Sequence, residues 1–159
     1  MKWVTRERPK TDRVACPWLI GRFIDPEAEI LYAPAERVLE VAKEEGARSF
    51  DAPGAEFTHR DGLCTFEVLI EEYDLGGDPA LARLARIVHS ADIAEDLGTD
   101  PLAPGLLAIG LGSLEVEPDD RALLERESFV YDALYAWCTR YGNESGTSAD
   151  ERRSPGEER

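Results

Sequence analysis

The stretch WVTRERPKTDRVACPWLIGRFIDPEAEILYA, Trp3 to Ala33, sets the fold class. It opens on a short strand candidate, Trp3-Val4-Thr5, and passes through a turn-forming R-P-K-T-D segment. A helix is predicted over 15–24 (ACPWLIGRFI), with Pro17 tolerable only in its first turn, where no N–H bond is lost. Glu29 to Ala33 (EILYA) reads as a second strand. Further on, 35–45 reads as a helix stopped by Gly46, and Ser49-Phe50-Asp51 as a third short strand. Beyond that the pattern turns helical. Phe66, Leu69, Ile70 and Tyr73 mark a helix over 64–73. Asp78 is an N-cap before Pro79 at the first helical position, opening a helix that runs to about Asp96. Leu102 to Leu114 reads as a buried, glycine-rich helical stretch, and Asp119 to Tyr141 as a long amphipathic helix ended by Gly142. The expectation is an α+β, predominantly helical single domain over 1–141, with a small sheet formed by short N-terminal strands.

Composition bounds the partners. The 159 residues carry 33 acidic and 18 basic side chains, a net charge of -15. So negative a surface repels phosphate backbones and anionic headgroups, so neither nucleic-acid nor membrane binding is expected of this chain alone. The charge is uneven, however. Residues 1–22 hold Lys2, Arg6, Arg8, Lys10, Arg13 and Arg22 against only Glu7 and Asp12, a local balance of +4 that leaves -19 for the remainder. No run approaches the roughly 20 apolar residues of a membrane span, and no apolar segment precedes Pro9 as a secretory signal would. Cys16, Cys64 and Cys138 form no CxxC pair and no even set, which fits a reducing cytoplasm. Cys16 and Cys138, close to Trp18 and Trp137, read as core packing. From Gly142 onward the only apolar residue is Ala149, so 142–159 is expected to be a disordered acidic and polar tail.

Four residues stand out as metal ligands. His59 lies in a polar loop within eight residues of Asp61, Cys64 and Glu67. It reads either as an ordinary solvated histidine or as a ligand or proton carrier. His89 precedes Asp92 by three residues on one helix face, and Asp92 occupies the next place on the stripe Leu81, Leu84, Ala85, Val88. A carboxylate on the core side must be paired, hydrogen-bonded or metal-bound. H-x-x-D on one face is how bundle helices offer two ligands to an ion, although a structural pair would look the same. His59, Glu67, His89 and Asp92 together make a mixed N/O set suited to zinc, iron(II) or manganese. Whether Cys64 joins them is open. The second candidate is basic. Arg6, Arg13 and Arg22 could bind a tetrahedral oxyanion through their guanidinium forks, or could serve only in salt bridges.

The run Trp3 to Pro26 resembles the opening of the chromate-resistance domain of ChrB-type proteins. The likeness continues through F-D-A-P-G-A-E-F-T-H (Phe50 to His59), C-T-F-E (Cys64 to Glu67) and I-V-H-S-A-D (Ile87 to Asp92). It ends with G-L-L-A-I-G-L-G and Y-D-A-L-Y-A-W-C (Tyr131 to Cys138). It spans about residues 2–140, and D-R-x-A-C-x-W-L-I is its most specific motif. The resemblance implies a small chromate-resistance domain, stand-alone here, whereas in longer regulators of the family the domain follows a separate N-terminal region expected to bind DNA. Chromate is a tetrahedral dianion, and Arg6, Arg13 and Arg22 fall in the family's opening. His59 falls in its F-x-H motif, Glu67 in C-T-F-E and Asp92 in the A-D motif. Gly21 departs from the pattern where a second basic residue is expected, which weakens a simple arginine cluster. Three functions follow as expectations: a cytoplasmic domain binding an oxyanion, a divalent metal ion or both; a metal-dependent enzyme on a small organic substrate; and a regulatory module. Reduction of chromate by cysteine is not expected, and a homodimer is left open.

Overall fold

The structure, a computed structural model, describes residues 1–142. The segment expected to be a disordered tail lies, but for Gly142, outside the described residues. The middle strand of a three-stranded parallel sheet is β1 (Lys2–Arg6), flanked by β2 (Glu29–Ala33) and β3 (Arg48–Ser49). Val4 is in register with Leu31 on one side and Ser49 on the other. Parallel strands cannot be joined by tight hairpins, so each connection carries helix. Helix α1 (Asp12–Leu19), prolonged by a π-helical turn over Ile20–Ile24, links β1 to β2. A 3₁₀ turn (Ala35–Arg37) and α2 (Val38–Glu45) link β2 to β3, and α2 ends on Gly46, whose φ of 61° is the left-handed value that favours glycine.

Alternate residues of a strand face opposite sides. Trp3 enters the larger core with Phe50, Phe57 and Trp18, while Val4 packs against Ala33, Val38 and Ala52 in a smaller cluster. Both faces of β1 are thereby covered, as a parallel sheet requires. The larger core is completed by α3 (Thr65–Glu72), α4 (Pro79–Asp92) and α6 (Asp120–Tyr141), with α5 (Ala103–Val116) against α4 and α6. The α+β, mainly helical fold with an early small sheet is what the pattern predicted. No helix among the described residues is long and apolar enough to cross a membrane.

Three local expectations are corrected. Helix α1 begins at Asp12, three residues earlier than the apolar pattern suggested, so Pro17 lies in its interior rather than in its first turn. The ring removes a ladder bond, and just beyond it the helix widens into the π turn. Helix α4 stops at Asp92, because Ile93 is extended (φ -98°, ψ 110°), and a 3₁₀ segment, Ala94–Thr99, follows. Helix α5 is not a buried element: only Ala103, Leu106 and Gly110 are buried, and Ile109, Leu111 and Val116 are 45%, 48% and 73% exposed. It is apolar all round, yet α4 and α6 cover only one side.

Candidate functional site

Asp12 is the hinge of the site. It is the first residue of α1 and wholly buried, and it caps a different helix. The Thr65 and Phe66 amides at the start of α3 donate to its Oδ2 and Oδ1 at 2.8 and 3.0 Å. The Cys16 thiol, one turn along α1, donates to Oδ1 at 3.3 Å. A buried carboxylate costs several kcal/mol unless such donors compensate it. Asp51, just past β3, is the second anchor. Its φ of 46° is left-handed, a conformation aspartate adopts more readily than most residues. The Thr65 hydroxyl donates to its Oδ1 at 3.0 Å, and the Arg6 guanidinium reaches both its backbone oxygen (2.8 Å) and its Oδ2 (3.3 Å). Arg13 Nε stands 3.5 Å from the same Oδ2.

The loop from Phe50 to Leu63 folds back beside β3 through mutual backbone bonds of Ser49, Asp51 and Phe57, and turns at Asp61-Gly62, both left-handed. This sets His59 over the two carboxylates. Its Nε2 lies 3.3 Å from Asp12 Oδ2, 3.4 Å from Asp51 Oδ1 and 3.1 Å from Asp92 Oδ2, the last from the end of α4. Three carboxylates from three elements thus converge on one imidazole nitrogen. The ring is 44% exposed, so the cluster can be reached from solvent. It borders a cavity of about 230 Å³ lined by Arg6, Asp51, Ala52, Pro53, Thr58 and His59.

The electrostatics follow from that crowding. Hydrogen bonds to Asp12 and Asp51 push His59 up to about 10, so the imidazole is a cation at neutral pH. Burial pushes Asp12 above the usual carboxylate range against the pull of His59. Burial, then the charges of Asp12 and Asp51, push Asp92 up to about 6. Burial opposes the charge on Asp51 as well, but His59, Arg6 and Thr65 outweigh it and hold that carboxyl below its ordinary value.

The four residues expected as metal ligands do not form one set. His59 and Asp92 meet, joined by Asp12 and Asp51. Glu67 and His89 meet elsewhere: His89 Nδ1 is 2.7 Å from Glu67 Oε2, and its Nε2 is 2.7 Å from Asp96 Oδ2. Cys64 belongs with these two, its Sγ lying within 4.8 Å of their ligating atoms, as do those of Asp12, His59 and Asp92 within the first group. His89 and Asp92 share a helix but serve different groups, His89 meeting Glu67 and Asp96 while Asp92 meets His59. Among the arginines, Arg6 and Arg13 both face Asp51, whereas Arg22 is tied by its guanidinium to Asp132 of α6 (2.8 and 3.0 Å), which also accepts from Trp18 Nε1. Asp12 and Asp51 were missed as site residues. Asp12 was one of only two acids in the basic N-terminal segment, and Asp51 lay in the F-D-A-P-G motif.

A family model described as the ChrB C-terminal domain matches residues 3–138. Protein ChrB of Cupriavidus metallidurans is 40% identical over 136 residues, which cover 84% of this chain and 40% of that protein. The chain therefore spans about two fifths of the curated relative's length. No solved structure matches it significantly. The matched region takes in β1 through α6, with Arg6, Asp12, Arg13, Asp51, His59 and Asp92 all inside it, and the chain belongs to the ChrB C-terminal domain family, the chromate-resistance family whose motifs it resembles.

Proposed function

We propose that this domain binds a small tetrahedral oxyanion, chromate in the first place, beside a divalent metal ion held by Asp12, His59 and Asp92. The observation that carries the reading is the convergence of three carboxylates on His59 Nε2 at a cavity walled by Arg6. Two imidazole or carboxylate ligands are common on surfaces; four donor groups from three segments, two of them buried, are a costly arrangement that a cation offsets. Zinc, iron(II) or manganese suits this N/O set.

Metal and anion support each other in this cluster. Without an ion, the His59 proton and the guanidiniums of Arg6 and Arg13 face Asp12, Asp51 and Asp92, which leaves no excess charge to attract an anion. A divalent ion taking the place of the His59 proton adds one positive charge and tips the balance toward anion binding. Arg6, with Arg13 behind it, then offers fork donors to the anion's oxygens. The cavity of about 230 Å³ lies below the roughly 300–1,000 Å³ usual for organic ligands and favours an inorganic anion over an organic substrate. Arg22, spent on Asp132, takes no part.

Elemental analysis of protein purified without added metal tests the ion. Close to one equivalent of transition metal that is lost in His59→Ala supports the reading; less than about a tenth of an equivalent, unchanged by His59→Ala, sinks it. Calorimetric titration with chromate and sulfate at low ionic strength tests the anion. Heat that requires the metal, with an affinity that Arg6→Gln lowers, is expected. Absence of heat with either anion in metal-loaded protein counts against it.

A further inference from the structure

We propose that Cys64, Glu67 and His89 form a second, separate metal site, of the thiolate-containing kind that binds zinc. The site belongs to α3 and α4 and shares no ligand with the cluster around His59. Cys64 stands immediately before α3 and is fully buried, and Glu67 is one turn into that helix. Glu67 Oε2 accepts from the Cys64 amide at 2.9 Å, which turns the carboxylate back toward the thiol. His89 projects from α4 across this turn with Nδ1 2.7 Å from the same Oε2. The ligating atoms of the three residues lie within 4.8 Å of one another. Zinc bonds of about 2.0–2.3 Å in tetrahedral geometry need donor separations of about 3.3–3.8 Å, so His89 and Glu67 part by only about 1 Å to admit the ion.

The outer nitrogen of His89 supplies the rest. Its Nε2 meets Asp96 Oδ2 at 2.7 Å, and Asp96 is brought there by the 3₁₀ turn that follows the break at Ile93. A ligating histidine commonly donates its other N–H to a carboxylate, which fixes the ring and its tautomer. Here Nδ1 faces Cys64 and Glu67 while Nε2–H donates to Asp96, so the ring is oriented with the ligand nitrogen toward the thiol. Glu67 and His89 are each only 20% exposed. One side of the group is thus open enough for a fourth, water ligand, while the sulfur is sheltered. On binding, the Cys64 thiol and the His89 Nδ1 position give up their protons to solvent, and the ion takes a thiolate, an imidazole and a carboxylate. The first group contains no sulfur ligand, so the two sites differ in metal preference: oxygen and nitrogen at His59, sulfur at Cys64.

Cobalt(II) separates them. A thiolate bound to cobalt gives an intense near-ultraviolet charge-transfer band, and a carboxylate–imidazole site does not. The full chain titrated with cobalt chloride is expected to develop that band with saturation at about one equivalent, and zinc is expected to bleach it. Cys64→Ser and, independently, His89→Gln are expected to abolish it, with circular dichroism confirming the fold. If Cys64→Ser does not fold, His89→Gln and Glu67→Gln decide. His59→Ala and Asp92→Asn leave the band in place, so failure of the oxyanion–metal reading leaves this one standing, and the converse. Absence of the band in the wild-type chain, or its survival in Cys64→Ser or His89→Gln, overturns the second site.

Discussion

His59 and His89 are each gripped by carboxylates, but the surroundings of the two rings differ in kind. His59 sits on a loop, 44% exposed, above carboxylates supplied by the start of α1, the end of β3 and the end of α4, with Arg6 and Arg13 alongside. His89 sits within α4, is 20% exposed, and is held by Glu67 on one nitrogen and Asp96 on the other, with a buried thiol beside it. Partial burial opposes its protonation, but Glu67 and Asp96 outweigh that and hold it above its ordinary value. The first arrangement couples distant elements beside a solvent-reachable cavity; the second closes on itself. Similar side chains therefore stand in different electrostatic settings according to which charges rim them and whether a thiol lies beside them.

The largest expected effect lies where the two regions join. Asp12 caps the helix that begins at Thr65, directly after Cys64, and that helix carries Glu67 in its first turn. Asp12→Ala strips the Thr65 and Phe66 amides of their acceptor and removes the partner of the Cys16 thiol. A loss of about 3–5 kcal/mol in urea unfolding is expected. A loss under about 1 kcal/mol would show that Asp12 is not what ties α1 to α3. Next in size is the removal of the proposed anion donor. In metal-loaded protein, Arg6→Gln is expected to weaken chromate binding at least about tenfold, which corresponds to about 1.4 kcal/mol. Arg22→Ala, in an exposed pair with Asp132, is expected to leave both binding and stability within about 0.5 kcal/mol. Equal losses in the two variants would erase the distinction between the cleft arginines and the structural one.

The strands, the Asp78-Pro79 start of α4 and the long α6 were legible because each leaves a local mark: β-rich runs, a cap beside a proline, a 3.6-residue stripe. The site was legible in its residue types and only partly in its grouping. His89 and Asp92 share a face as their spacing predicted, yet the extended Ile93 ends the helix and turns Asp96 toward His89, leaving Asp92 for His59. Nothing local announces that break. Asp12 was hidden for a related reason. Its partners Thr65 and Phe66 lie more than 50 residues away, and a helix start read at residue 15 put Asp12 outside the element whose first residue it is. The exposure of α5 was illegible from the opposite cause. A helix apolar all round reads as buried, and only the placement of α4 and α6 shows that one side is left bare.

A smaller effect than the loss at Arg6 tests whether charge on His59 holds its region together in metal-free protein. Its ordinary value is 6.5, and in the folded chain the hydrogen bonds to Asp12 and Asp51 push it up to about 10. A group whose folded value is raised binds its proton more tightly when folded, so its stabilisation is complete below 6.5 and fades as pH rises toward about 10. Because the ring is 44% exposed, solvent screening keeps the loss to about 1 kcal/mol. The melting temperatures of the wild type and His59→Gln, both stripped with chelator, should therefore lie apart at pH 6 and converge by a few degrees as pH approaches 10. Taking the difference between the two proteins cancels most of the titration they share, including that of Asp92. A gap that stays constant across this range would mean that His59 contributes packing rather than charge. Asp12 and Asp51 would then be held by the amides of α3, the Thr65 hydroxyl, the Cys16 thiol and the guanidiniums of Arg6 and Arg13.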